Sequence, residues 1–202
     1  MKIKKLYIAV FLVFALMSCT TKQDRFLLEK ANIQQYLSLE KELNSKQITH
    51  SKNERLPMAF LPIDTNLTFT SPIGFERIDF EDMPMYSRAY TDSLGNCILI
   101  YEWDKVTPTM SQDQKDKIKR EFEKHNQDYV DKYNHLTAKI TDALGPPITA
   151  DKKLQASEME VYTFWKCSQI WKKGKQTVEL NLILMPNELY RIIVKVLVLK
   201  GK

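Results

Sequence analysis

Between Ser111 and Leu144, apolar or aromatic side chains recur at Ile118, Phe122, Tyr129, Tyr133, Leu136 and Ile140, with His125 filling the gap in the series. The steps of 4, 3, 4, 4, 3 and 4 residues trace one face of an α-helix, because 3.6 residues complete a turn. Ser111 and Gln114 match a capping box, in which side chains satisfy the first free amides of a helix. Gly145 can take the left-handed turn that ends a helix, and Pro146-Pro147 forbid its continuation. Unbroken, such a helix spans about 50 Å at 1.5 Å per residue, and that length leaves room for a kink or break near Asn134. A single apolar stripe needs one large surface to lie on.

The flanking sequence supplies that surface as strands. Ile73 to Ile78 reads as a first strand after a turn. Tyr86–Thr91 and Cys97–Trp103 flank the turn-forming run Asp92-Ser93-Leu94-Gly95-Asn96, so they read as a hairpin with Cys97, Leu99, Tyr101 and Trp103 on one face. After the helix, Glu160–Trp171, Thr177–Met185 and Leu189–Leu199 form an antiparallel meander. Val178, Leu180, Leu182 and Leu184 alternate with polar residues, which buries one face there. The last strand is apolar on both faces, which predicts a central place in the sheet. The expected class is α+β: a strand hairpin, one long helix and a three-stranded meander, with the helix packed on one face of an antiparallel sheet.

This element order, the Ser71-Pro72-Ile73-Gly74-Phe75 opening and the hairpin before the helix resemble the PsbP-like α+β sandwich over roughly residues 65–200. The resemblance implies a fold and no activity, since one fold hosts many roles. Leu144-Gly145-Pro146-Pro147 also resembles the Leu-Gly-x-Pro that precedes a meander in small outer-membrane assembly lipoproteins, where the long helix fits less well.

The N-terminus has a different character. Lys2, Lys4 and Lys5 precede an uncharged apolar run of 12 residues, Leu6–Met17, which ends at Ser18-Cys19. A spanning helix needs about 20 apolar residues, so this run has the proportions of a signal peptide core. Leu16-Met17-Ser18-Cys19 resembles the processing site of bacterial lipoproteins, with Met17 standing where a smaller residue is commoner. The resemblance implies that residues 1–18 are removed and that Cys19 is diacylated and becomes the first residue of the mature chain. Thr20 is not aspartate, which by the same resemblance favours the outer over the inner membrane. The competing readings are an ordinary cleaved signal and an uncleaved anchor. In residues 19–55, Asp24 is expected to cap a helix carrying Phe26, Ile33, Tyr36, Leu37 and Leu43. Residues 44–55 lack any period and read as a tether, which puts the start of a single domain, 56–202, near Leu56.

The whole chain carries 30 basic and 25 acidic residues. Residues 1–18 hold three lysines and no acid, so the mature chain carries 27 against 25, a net charge of +2. Such a balance gives no electrostatic footprint for nucleic acid. With Cys19 acylated, Cys97 and Cys167 remain, and in an exported protein they are either a disulfide or two buried thiols. No metalloprotease, nucleophile-elbow, phosphate-loop or paired-cysteine motif occurs, so no catalytic residue, metal ligand or cofactor is assigned. Ser38-Leu39-Glu40-Lys41 fits a Ser-x-x-Lys pattern of common residues, and Glu76, Asp79, Glu81 and Asp82 lack calcium-loop spacing. His50 falls in the expected tether, His125 in the helix stripe and His135 off it. Trp103, Trp165 and Trp171 lie in strand-like runs, and any of them left exposed would suit recognition. The expected protein is therefore a lipid-anchored envelope lipoprotein that binds a protein or peptide, with membrane contact through its lipid. The alternatives are an envelope enzyme acting on cell-wall or glycan material, and a lipoprotein inhibitor or immunity protein.

Overall fold

The computed structural model describes residues 25–28, 31–48, 69–79, 83–104, 111–151, 155–159, 162–185 and 189–200, with the backbone alone at 78–79, 83, 112, 114–126, 155–159, 162–164 and 189. The first described element is helix α1, Ile33–Glu42. Its cap is Asn32, whose Oδ1 accepts the Gln35 amide at 3.0 Å, one of the amides that a helix start leaves without a partner. The helix ends into Asn44, which holds the left-handed conformation at φ 54°. Strands β1 (Lys46–Ile48), β2 (Ile73–Asp79), β3 (Met83–Thr91) and β4 (Cys97–Asp104) follow. Helix α2 runs from Gln112 to Leu144. Then come β5 (Thr149–Ala150), β6 (Gln155–Met159), β7 (Tyr162–Lys173), β8 (Gln176–Met185) and β9 (Leu189–Val198).

All strands join one antiparallel nine-stranded sheet in the order β1-β2-β3-β4-β9-β8-β7-β5, with β6 also on β7. The β3–β4 turn is closed by Asp92, whose Oδ1 accepts the amides of Leu94 at 2.9 Å and Asn96 at 2.8 Å. Gly95 sits there at φ +80°, a conformation that side chains other than glycine rarely adopt. The two halves of the sheet meet where β4 pairs with β9, Leu99 opposite Val196 and Tyr101 opposite Val194. The central place expected for the last strand is therefore observed. Ile192, Val194 and Val196 of β9 join the larger core, while Ile193 and Leu197 join a second cluster with Tyr90, Ile98 and Ile100.

Helix α2 is continuous through Asn134 and lies across β7, β8 and β9. Tyr129, Leu136 and Ile140 of its stripe are fully buried and Tyr133 nearly so. Ile118, Phe122 and His125 lie where side chains are outside the described residues. Trp171 of β7 donates from Nε1 to Thr141 Oγ1 at 3.3 Å, and Lys173 Nζ donates to the Ala143 carbonyl at 2.9 Å, so the end of the helix is tied to β7.

Two expectations change. The class is sheet-rich: among the described residues, two helices accompany nine strands. The N-terminal region also belongs to the core. The helix starts at Ile33 rather than after Asp24, and Phe26 precedes it outside any helix or strand. Phe26, Leu28, Ala31 and Tyr36 are buried in the same cluster as the α2 stripe. Residues 46–48, expected in a tether, pair with β2, Gln47 opposite Phe75. The reason is areal. One helix about 10 Å wide covers about two strands spaced 4.8 Å apart, so the β2–β4 half needs a second cover. Residues 49–55 lie outside the described residues.

Candidate functional site

The tryptophans proposed for recognition separate. Trp103 and Trp171 are completely buried, and only Trp165 reaches solvent, at 37% exposure. All three point to the helix-covered face by strand parity, but Trp165 lies toward the sheet edge, where β6 follows β7 and Ala156 stands opposite it. Cys97 and Cys167 are both buried and free. The disulfide option fails because Cys97 is on β4 and Cys167 on β7, with β9 and β8 between them. Three strand spacings of about 4.8 Å far exceed the Cα separation of about 4.4–6.8 Å that a disulfide allows. Burial pushes the Cys97 thiol up to about 11. Cys167 accepts the Tyr133 hydroxyl at 3.4 Å and donates toward the Asp151 carbonyl at 3.6 Å. Cys19, His50, Glu81 and Asp82 lie outside the described residues, and His135 is exposed.

Three constellations appear that sequence reading missed. The first lies under α1. Glu40 is fully buried and accepts Ser45 Oγ at 2.5 Å, Arg77 Nη1 at 2.9 Å and Ser87 Oγ at 2.8 Å. The Tyr36 hydroxyl stands 3.0 Å from Ser87 Oγ and donates to the Ile73 carbonyl at 3.3 Å. The one sign in the sequence was Glu40 falling on the apolar side of a helix with Tyr36. Two of its partners, Arg77 and Ser87, come from β2 and β3, which a single sequence does not bring together. Ser38 and Lys41, the ends of the Ser-x-x-Lys pattern, are exposed and separate from this network.

The second is Lys132, on the sheet side of α2 and 1% exposed. Its ammonium sits 5.3 Å from the Trp103 ring centroid. Trp103 in turn meets Phe26 edge-on at 6.3 Å, and Tyr129, one turn before Lys132 on α2, packs on Tyr190 with ring centroids 5.3 Å apart. Burial, with the charge of Lys139 added, lowers the Lys132 amine to about 8. Lys139 in turn sits 4.9 Å from the Phe26 ring centroid. Aromatic faces attract a cation, and this offsets part of the cost of withdrawing it from water.

The third is a belt of charge on the opposite face of the sheet. Arg88 pairs with Glu102, Arg191 reaches Asp104 at 2.6 Å and Glu102 at 3.7 Å, and Lys195 reaches Glu179 at 3.1 Å. Asn181 donates to Glu179 at 2.9 Å and accepts Ser168 Oγ at 2.7 Å. Antiparallel register makes the belt, because Asp104 is opposite Arg191 and Glu179 opposite Lys195.

Among the described residues no three His, Cys, Asp or Glu side chains gather to hold a metal ion, and no helix is long and apolar enough to cross a membrane. Glu40, Glu102, Asp104 and Glu179 each already engage an arginine or lysine. Their oxygens are taken up by partners within the fold rather than turned to an open cleft. These networks hold shape. Among the described residues the exposed large apolar side chains lie elsewhere: Leu94 at 73% on the β3–β4 turn, and Ile148 at 63% and Trp165 at 37% along the β7 edge. No protein-family model, curated protein or solved structure matches this chain.

Proposed function

We propose that this is a lipid-anchored lipoprotein of the cell envelope whose sheet domain binds a protein or peptide partner. The anchor rests on the basic start, the apolar run and Ser18-Cys19. Thr20 in place of aspartate favours the outer membrane. The PsbP-like sandwich belongs to the same proposal and rests on the element order and the Ser71–Phe75 opening.

One observation carries the binding half. Ile148 and Trp165, two of the exposed large apolar side chains, share one edge of the sheet. The Ile148 amide bonds the Ile170 carbonyl of β7 at 2.8 Å, about 17 Å along β7 from Trp165 at 3.3 Å per residue. The strands at that edge are short, with two residues in β5 and five in β6. An extended peptide can add to such an edge through main-chain hydrogen bonds, with aromatic side chains setting its choice.

The test is photo-crosslinking in native cells from positions 148, 165 and 94. The same partner should be captured at 148 and 165 but not at 94, and Trp165→Asp should abolish capture. Capture that is strongest at position 94 and insensitive to Trp165→Asp would overturn the edge reading.

A further inference from the structure

We infer that the anchored domain lies on the bilayer with its α1 side toward the lipid and its β5–β6 edge away from it. This rests on the lipoprotein reading above. What adds to that reading is how early the chain is fixed to the fold. The Arg25 carbonyl accepts the Arg77 guanidinium, and the Arg25 side chain pairs with Glu42 at 2.5 Å. Phe26 packs at 5.6 Å on Tyr101 and edge-on to Trp103. The Leu27 amide donates to the Tyr101 hydroxyl at 3.2 Å, and the Leu28 carbonyl accepts Gln176 of β8. Ala31 is then 2% exposed.

Only the five residues Thr20–Asp24 separate Cys19 from Arg25. Six Cα steps reach at most about 21 Å fully extended and average about 13 Å as a flexible chain. A domain of this size is about 40 Å across. The acylated cysteine sits at the boundary of the hydrocarbon layer, so the leash is shorter than the body it holds. The long polar stretch expected to act as a spacer, 44–55, cannot lengthen it, because it follows α1 rather than preceding the fold.

Orientation follows from the sheet. Arg25 is tied to β2 through Arg77, whereas Ile148 is tied to β7. Five strand spacings separate β2 from β7, about 24 Å at 4.8 Å each. The side carrying Arg25, Lys41 and Glu42 is thereby held next to the membrane. The edge carrying Ile148 and Trp165 stands away from it, open to a partner arriving from the aqueous side.

The experiment uses the lipidated full-length protein in phospholipid vesicles that carry a headgroup energy acceptor. A donor dye is placed on Lys41→Cys or on Ile148→Cys. Both sites are exposed, and the native thiols Cys97 and Cys167 are buried and stay unlabelled. Transfer from position 41 should exceed transfer from position 148 by about twofold, given the ~24 Å offset. A flexible spacer of about 20 residues inserted between Asp24 and Arg25 should bring the two close to equality. Palmitate incorporation measured on the same preparations separates the two readings. A palmitoylated protein with equal transfer at both sites overturns the orientation and leaves the anchor standing. A protein that takes up no palmitate overturns both.

Discussion

Glu40 and Lys132 are both withdrawn from water, and their surroundings differ in kind. Glu40 has a cation and two hydroxyl donors at its carboxylate. Glu40→Ala strands Arg77 in a half-buried site and should cost about 3–5 kcal/mol, read from urea midpoints. Replacing Glu40 and Arg77 together with methionine should recover much of that loss, because neither charge is then left alone. Lys132 has aromatic rings and a like charge nearby instead. Its amine is lowered to about 8 from the ordinary lysine value of 10.5. The unfolded chain therefore binds more protons between these values, and this group's contribution to stability rises with pH across that window. The midpoint of the wild type should gain on that of Lys132→Met from pH 8 to 10. A constant gap would show that Lys132 is charged in the fold throughout. His135 lies below this window, since burial first, then Lys132 and Lys139, lower its pKa further. Beyond Glu40's place on the apolar side of its helix, the sequence marked neither residue. Both sit at helical spacing that reads as ordinary, and Arg77 and Ser87 of Glu40 and Trp103 of Lys132 lie on strands more than 25 residues away. The cysteines were left open between bonded and free, because only strand order tells whether two strand residues are neighbours. The native protein should show no free thiol to a labelling reagent at pH 8 and two after unfolding, without reductant. One disulfide detected by mass would contradict the sheet order.

Helix α2 was the most legible element, since its stripe, cap and stop signals agree. Leu136→Ala should cost about 2–5 kcal/mol, as for other fully buried leucines. Asn134→Ala, two residues away and exposed, should stay within about 0.5 kcal/mol. Equal denaturant midpoints for the two would mean that α2 does not cover the sheet. The hairpin β3–β4, the strands β7 to β9 and the central place of β9 were equally readable, because alternation and turn residues are local signals. The strands β1, β5 and β6 were not. Each is 2–5 residues long, too short for a pattern of period two to emerge. Helix α1 was expected, but its membership in the core was not. Its apolar residues are few, and the sheet half that they cover lies 30 or more residues further on. Removing residues 19–48 should therefore destabilise the protein strongly, exposing the ground under Phe26, Ala31 and Tyr36. A core beginning near Leu56 that melted like the whole chain would refute this.

For the molecule as a whole, the proposed location and the shape rest on different parts of the chain. Cys19→Ser should abolish palmitate labelling and move the protein from the membrane fraction to the soluble one. Unchanged labelling would end the lipoprotein reading. Among the described residues of the folded part, Glu40, Asp104 and Glu179 engage an arginine or lysine, and the exposed large apolar side chains lie at one edge and one turn.

Taken by itself, the sequence determined what is written in short-range period and local chemistry: the helix stripe and its ends, the turns, the alternating strands and the anchor motif. These depend on residues within a few positions of one another, where backbone geometry alone sets the spacing. The tertiary structure alone decided which strands are neighbours, that Cys97 and Cys167 stand apart, that Trp103 and Trp171 are sealed while Trp165 is not, and that Arg25 to Leu28 are tied to the sheet. Those outcomes depend on which surfaces remain uncovered once the sheet has formed, and burial is a property of the assembled layers rather than of any segment within them.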